Sequence, residues 1–175
     1  MIGFAQRKDV GAVGVRMYYP DDTIQHAGIM VGVYTVAAHM FRGIPKEAHG
    51  YFARESSIQN ASAVTAACIM CRREIYEQVD YMDERFEVAF NDIDFCLKIR
   101  EKGNLIVYNP FVEFKHYESK TRGAEDTEEK KKRFRGEIEL FLEKWKDFLK
   151  KGDPYYNKNF RLDSDQYDIR TDKVN

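Results

Sequence analysis

The chain of 175 residues is 43% hydrophobic and 14% aromatic, which is enough apolar material for one domain with a buried core. Its 28 basic and 29 acidic side chains nearly cancel, and the net charge of -1 excludes the positive field with which proteins grip nucleic acid. The 3 cysteines are an odd number, which argues against a disulfide framework and favours a reducing compartment.

The first third of the chain predicts strands followed by a long loop. Residues 1–8 look like the last turns of a helix, and residues 10–19 form a compact apolar strand. A turn at residues 20–22 leads to a second extended segment at 23–33, so the two segments are predicted to pair as a hairpin. Residues 34–62 have weak periodicity, and we interpret them as a long, partly helical loop that is open to substrate contacts.

Histidines and cysteines in this half suggest no site by spacing alone. We interpret His39 and His49 as surface histidines within the long loop. Residues 63–71 have the pattern of a buried strand, in which Cys68 and Cys71 would point to opposite faces. No second pair of cysteines completes a zinc site, so we expect both to be buried thiols.

The strand at 63–71 passes directly into a helical pattern at 72–79, which is typical of an α/β fold. The next helix opens at Asn91, a good N-cap residue, with Asp94 three positions later as in a short capping box, and it ends at Gly103. Asp92 then lies in the first turn, where the free N–H groups and the helix dipole favour a charged carboxylate. From spacing alone, Asp92 is either a base or a residue that stabilises the helix start.

The following segments predict strands at 105–108 and 111–117. Alternation places His116 in an inward-facing row, either as a satisfied core histidine or as a ligand. Lys120 and Arg122 follow in a basic loop, where they are either solvated or in contact with phosphate.

Residues 125–151 predict an amphipathic helix that packs across the domain, stopped by Gly152. Its basic run at 130–135 leaves peripheral membrane association open. The polar tail at 155–175 is expected to wrap over the surface or fray.

Taken together, these segments resemble the C-terminal half of a family 2 glycosyltransferase, of the kind found in bacterial rhamnosyltransferase-like enzymes of polysaccharide biosynthesis. The resemblance is carried, in order, by residues 9–15, 23–28, 65–74, 82–86, 90–100, 116–123, 152–157 and 162–163. It implies an α/β fold, the C-terminal, acceptor-side part of a GT-A nucleotide-diphospho-sugar transferase fold, with a mixed sheet, flanking helices and a long C-terminal helix. Residues 1–123 would form the acceptor-side portion, and residues 124–175 the helix and tail that pack on it.

The resemblance also implies roles for individual residues. Asp92 matches the general base that deprotonates the acceptor hydroxyl, although Asn91 stands where the family has a glutamate. His116 matches a histidine ligand of Mn²⁺ or Mg²⁺, and Lys120 and Arg122 match the mobile loop beside the donor diphosphate. The family's Asp-x-Asp metal motif and its nucleotide-binding half are expected before the first strand, where this sequence has neither; Asp92-Ile93-Asp94 matches the letters of the motif but lies at a helix start, so we do not interpret it as the metal motif.

We therefore expect a fragment of an inverting, metal-dependent glycosyltransferase that is inactive alone. The full enzyme would move sugar from a nucleotide-sugar donor to a saccharide or lipid-linked acceptor, in the cytoplasm or at the inner face of the membrane. A homodimer through uncovered apolar surface is compatible with this view. The alternative is a non-catalytic carbohydrate-binding or assembly module, which aromatic residues on exposed loops would favour.

Overall fold

The structure, a computed structural model, describes residues 1–117 and 127–171. Its helices are α1 (Ile2–Ala5), α2 (Arg73–Gln78), α3 (Asn91–Glu101), α4 (Glu128–Lys144) and α5 (Lys146–Lys151). Its strands are β1 (Val10–Tyr18), β2 (Ile24–His26), β3 (Ile29–Val31), β4 (Ala37–His39), β5 (Gln59–Ala61), β6 (Ile69–Cys71) and β7 (Leu105–Lys115). Short 3-10 turns occupy Val33–Thr35, Tyr51–Ser56 and Ala66–Cys68. Among these helices, none is long and apolar enough to cross a membrane.

The main sheet is built around β1, in which every residue is buried. On one side β1 runs parallel to β7, which in turn pairs with β5 in the antiparallel sense. On the other side β1 is flanked by β2 at one end and β6 at the other, both antiparallel. A strand covered on both faces has an almost continuous apolar sequence, which is why residues 10–19 were predictable. The mixed sheet with flanking helices confirms an α/β fold.

A glycine in β1 allows a close approach between segments. A Cβ atom at Gly14 would overlap the side chain of Val64, so only glycine fits at this position. The contact between β1 and the segment at Val64 therefore depends on the absence of a side chain at this position.

The predicted second strand is divided in two. β2 pairs with β1 as expected, but Gly28, with φ of 103°, turns the chain so that β3 pairs instead with β4 in a separate two-stranded sheet. Residues 34–62 therefore contain β4 and β5, and the prediction of a partly helical loop was right only for the short 3-10 turns.

The predicted strand at 63–71 is shorter than expected. Residues 66–68 form a 3-10 turn capped by Thr65, whose side-chain oxygen accepts a hydrogen bond from the Ala67 N–H. Only Ile69–Cys71 joins the sheet, as a half-buried strand at its edge. Cys68 and Cys71 are accordingly half-buried, so the prediction of buried thiols was wrong for both.

β7 runs through Pro110 as one strand with a bulge. Val15 pairs with Asn109 whereas Arg16 pairs with Glu113, so three residues of β7 bulge between these pairs. Proline donates no ladder hydrogen bond, and a bulge accommodates it. The sequence predicted two strands here because Asn109-Pro110 is a strong turn signal.

The predicted C-terminal helix is interrupted at Trp145, whose φ of -107° and ψ of 18° separate α4 from α5. The Glu137 carboxylate of α4 accepts hydrogen bonds from the backbone N–H groups of Val88 and Ala89, which ties α4 to the loop before α3. The tail also contributes to the core, since its aromatic residues Tyr156, Phe160 and Tyr167 are buried.

Candidate active site

Asp92 lies in the first turn of α3, as predicted, but the cap differs from the prediction. The N-cap residue is Phe90, in the left-handed region with φ of 64° and without a side-chain cap, and Asn91 is the first helical residue. Asn91 donates instead from its amide to the Val88 carbonyl at 3.4 Å. The prediction of Asn91 as N-cap was therefore wrong by one residue, because Phe90 occupies the cap position and its side chain makes no hydrogen bond to the helix N–H groups.

The carboxylate of Asp92 is half-buried and held by two backbone donors. Its Oδ1 accepts from the Ile93 N–H at 2.9 Å, and its Oδ2 accepts from the Ala66 N–H at 3.1 Å. Each oxygen keeps a lone pair for a further donor, because a carboxylate can accept about four hydrogen bonds. The positive end of the helix dipole lies at the same place. The position suits a group that accepts a proton from a ligand.

Asp94 is fully buried and does not cap the helix. Its Oδ1 accepts a hydrogen bond from the Trp145 indole N–H at 2.8 Å and lies 2.7 Å from the Lys144 ammonium. The predicted cap role was wrong, because the side chain faces the C-terminal helices instead of the free N–H groups. Asp94 thus attaches the helix that carries Asp92 to the junction of α4 and α5.

A polar cavity of about 140 Å³ lies at the ends of β1, β2, β4 and β7. It is lined by Tyr19, Gln25, His39, Arg42, Thr65 and His116. His116 is therefore part of a site, but it does not face inward as predicted: it is exposed. β5 pairs with β7 no further than Tyr108, so the end of β7 lacks a strand on that side among the described residues, and its alternation no longer separates core from solvent.

The His116 side chain is oriented by Gln25, which is buried. The Gln25 amide NH₂ donates to the His116 carbonyl oxygen at 3.4 Å, which turns its Oε1 towards the imidazole. His116 Nδ1 lies 2.8 Å from that oxygen and acts as the donor. In the neutral ring the lone pair is then on Nε2, the arrangement that prepares a histidine to bind a metal.

A pair of histidines lies at the cavity wall, of which His39 is a lining residue. His26 is fully buried, and its Nδ1 lies 2.9 Å from Nδ1 of the half-buried His39. Burial, and next the neighbouring His39, hold the pKa of His26 well below its ordinary value, so His26 is neutral. The prediction that His39 is a surface histidine was wrong, whereas His49 is exposed as expected and contacts Glu55 at 3.1 Å.

Two consecutive residues connect the cavity to Asp92. The Thr65 N–H lies 3.5 Å from His26 Nε2, and the next N–H, of Ala66, donates to Asp92. Asp92 and the cavity wall are therefore joined through one short segment. The sequence predicted Asp92 and His116 as separate candidates. In the structure Asp92 contacts the backbone of Ala66, and His116 lines the cavity together with the neighbouring Thr65.

The described residues provide part of a metal site at most, since no group of three or more His, Cys, Asp or Glu side chains among them could hold a metal ion. An oriented, accessible imidazole is nevertheless a suitable ligand for Mn²⁺, with carboxylates completing the set. His116 fits the role of one ligand. Lys120 and Arg122, the predicted diphosphate contacts, lie outside the described residues.

Sequence reasoning missed Gln25, His26, Arg42 and Thr65 as members of the site. The available signal was Gln25-His26, two adjacent polar residues in an otherwise apolar segment that was predicted to be a strand. Buried polar groups require hydrogen-bond partners, so such a pair predicts contacts with other polar side chains in the fold.

Comparison with known proteins gives two informative similarities. The chain is 46% identical over 170 residues, or 95% of its length, to an uncharacterized protein, y4gI, of Sinorhizobium fredii (strain NBRC 101917 / NGR234). It is 33% identical over 172 residues, or 97% of its length, to the O-antigen biosynthesis protein RfbC of Myxococcus xanthus. The chain is similar to a protein of O-antigen biosynthesis.

Both relatives are much longer than this chain. It spans 18% of the length of the Sinorhizobium protein and 13% of the length of the Myxococcus protein. No family model and no solved structure matches the chain.

Proposed function

We propose that the chain is the acceptor-side part of a family 2 glycosyltransferase of GT-A fold, in an enzyme of bacterial polysaccharide biosynthesis. The observation that carries the proposal is the position of Asp92, a carboxylate at a helix N-terminus whose backbone partner adjoins a polar cavity. The similarity to an O-antigen biosynthesis protein supports the substrate class, since O-antigen is a polysaccharide. Donor binding would require residues beyond those of this chain.

In this proposal Asp92 accepts the proton of an acceptor hydroxyl. The hydroxyl oxygen then forms a bond to the anomeric carbon of the donor sugar as the bond from that carbon to the nucleoside diphosphate breaks, which inverts the configuration. The two backbone N–H groups fix the direction of the carboxylate, so no reorganisation is needed when the proton moves.

His116, oriented by Gln25, would serve as one ligand of Mn²⁺ or Mg²⁺. When bound, the metal supplies positive charge that stabilises the leaving diphosphate. Lys120 and Arg122 remain proposed contacts of that diphosphate on the strength of the sequence resemblance.

The decisive experiment replaces Asp92 by Asn in the full-length protein. The amide retains an oxygen for one backbone N–H but cannot accept a proton, so sugar transfer should fall about 10²- to 10⁴-fold, the usual contribution of a general base. Donor binding, measured by calorimetry with the nucleotide sugar, should be unchanged. Glu101→Gln, at the exposed far end of α3, is the matched control and should retain full activity. Transfer by the Asp92 variant within threefold of the parent would remove Asp92 from the role.

His116→Ala tests the metal proposal separately. Loss of one ligand should raise the Mn²⁺ concentration needed for half-maximal transfer by about tenfold or more. A metal titration curve identical to that of the parent protein would exclude His116 as a ligand.

A non-catalytic carbohydrate-binding module is the second candidate, because several aromatic side chains are exposed outside the main sheet. Phe52, Tyr34 and Tyr81 are 85%, 51% and 50% exposed, and exposed aromatic rings can stack on sugar rings. Sugar binding by the full-length protein without any transfer from nucleotide-sugar donors would favour this candidate.

A further inference from the structure

The C-terminal tail forms one wall of a large groove. An antiparallel bridge joins Phe160 to Ile169 within the tail, and the Tyr34 N–H donates to the Leu162 carbonyl oxygen at 2.7 Å. These contacts hold the tail against the 3-10 turn at Val33–Thr35. The groove between the tail, this turn and the end of α5 has a volume of about 640 Å³.

The lining of this groove contains apolar side chains that the core covers only in part. Leu142 of α4 and Leu149 of α5 pack against the core and are half-buried, and Leu162 of the tail is 51% exposed. Leu149 lies close to the opposite wall, since a Cβ atom added to Gly32 would be 3.8 Å from its Cδ2. A hydrocarbon chain in the groove would be removed from water together with these leucines, which is the main source of affinity for apolar ligands.

The same lining is positively charged. Lys150 and Lys151 at the end of α5 and Lys158 in the tail are exposed, and within the part of the chain that the structure describes they make no ion pair. The acid of the lining, Asp153, is buried and accepts a hydrogen bond from the Ser62 hydroxyl at 2.6 Å, so its carboxylate is directed into the fold. Lysine side chains can lie along apolar surface while their ammonium groups stay in water. The groove therefore combines hydrocarbon contact with positive charge.

These two properties together suit an amphiphile that has an apolar chain and a phosphate headgroup. Lysine ammonium groups bind phosphate as point charges, whereas a free phosphate would leave the leucines in contact with water. The volume of about 640 Å³ is within the range of roughly 300–1,000 Å³ that is typical of small-molecule sites. At about 30 Å³ per heavy atom, a six-carbon chain with a phosphate group needs about 330 Å³, so it fits with room for a longer chain.

We propose that the groove between α5 and the C-terminal tail binds a lipid with a phosphate headgroup, its chain against the three leucines and its phosphate beside the three lysines. Binding requires neither Asp92 nor sugar transfer. The use of this lipid as the carrier of an acceptor rests on the proposed function, in which a lipid-linked acceptor is one of the expected substrates.

The first measurement follows the amide signals of Gly32 and Gly152, which line the groove, in ¹⁵N correlation spectra of the 175-residue chain. Hexyl phosphate should shift both signals and saturate. Inorganic phosphate and hexanol each carry one half of this ligand and should bind at least about tenfold more weakly. Butyl phosphate lacks two CH₂ groups and should bind about three- to fifteenfold more weakly than hexyl phosphate, the upper value corresponding to full burial of both groups.

Three results of this titration would overturn the proposal. Inorganic phosphate that binds as tightly as hexyl phosphate would show a site for free anions. Hexanol that binds as tightly would show an apolar groove without selectivity for phosphate. Unchanged signals of Gly32 and Gly152 with hexyl phosphate would show that the groove does not bind such a ligand.

Variants separate the groove from the general charge of the surface. Lys158→Gln removes one charge and should weaken hexyl phosphate binding about fivefold while leaving hexanol binding unchanged. Leu162→Ser should weaken the binding of both. Lys132→Gln is the matched control, because Lys132 is exposed on α4 about 15 Å along the helix from Leu142 and does not line the groove. Equal losses in Lys132→Gln and Lys158→Gln would show attraction to the overall charge and would overturn the proposal.

A second copy of the chain is the competing occupant of the groove. Signals of Gly32 and Gly152 that shift with protein concentration in the absence of ligand would show a contact between copies and overturn the lipid proposal. Failure of this proposal and failure of the proposed function can be told apart. Hexyl phosphate binding with an unimpaired Asp92→Asn enzyme would contradict only the catalytic role. Sugar transfer that depends on Asp92, without hexyl phosphate binding, would contradict only the lipid site.

Discussion

Substituting Asp94 should reveal that its role is structural, in contrast to that of Asp92 two residues earlier. Asp94→Ala leaves the Trp145 indole N–H without its acceptor and removes a carboxylate oxygen that lies 2.7 Å from the Lys144 ammonium. A buried donor without a partner costs about 1–3 kcal/mol, and breaking a buried ion pair costs about 3–5 kcal/mol. Lys144 keeps a second carboxylate, that of Asp83 at 2.8 Å, so its charge is not left unpaired and the expected cost lies between these two ranges and below their sum.

We therefore expect Asp94→Ala to lower the free energy of unfolding by about 2–4 kcal/mol. Asp94→Asn retains an oxygen for the Trp145 N–H and loses only the charge, so it should cost about 1–2 kcal/mol. Urea denaturation followed by tryptophan fluorescence is a suitable assay, because Trp145 is the single tryptophan of the chain. Asp92→Asn is the matched control and should cost less than about 1 kcal/mol. An Asp94→Ala protein as stable as this control would refute the reasoning.

Two further predictions concern acid stability and packing. The pKa of Asp83 is held below its ordinary value, first by its hydrogen bond from Arg85, so its contribution is present above about pH 4 and is lost as the pH falls below that value. Asp83→Asn should consequently make the urea midpoint depend less steeply on pH between pH 5 and pH 2. The same pH dependence in the variant and the parent protein would contradict this role of Asp83. Gly14→Ala should destabilise the chain by about 1–3 kcal/mol because the added Cβ overlaps Val64. Gly3→Ala, where nothing lies near the added atom, is the control and should leave the thermal midpoint nearly unchanged.

The elements that local sequence predicted correctly are those whose pattern reflects their own burial. β1 is apolar apart from Arg16 because it is covered on both faces, and α3 has its apolar residues at helical spacing because one side of it packs on the sheet. The first-turn position of Asp92 followed from the same spacing. These features depend on neighbours in the chain, so they could be predicted before the fold was known.

The parts that could not be predicted depend on contacts between distant residues. His26 and His39 are brought together because Gly28 separates β2 from β3, and no periodicity in residues 34–62 indicates that β4 returns to this point. His116 is exposed because β5 ends early, which is a property of the partner strand and not of residues 111–117. Local alternation cannot report where a neighbouring strand stops.

Two acidic residues in the first turn of α3 have different roles: Asp94 anchors the helix, and Asp92 is the proposed base. Side chains two positions apart on a helix do not face each other, so Asp92 and Asp94 point to different sides of the same turn. Asp94 is directed to α4 and α5, where Trp145 and Lys144 hold it, and this contact fixes the helix end. Asp92 is directed to the 65–66 turn and the cavity wall beyond it. A helix end anchored from one side can hold a carboxylate steady on the other, which is what the general-base role proposed for Asp92 requires.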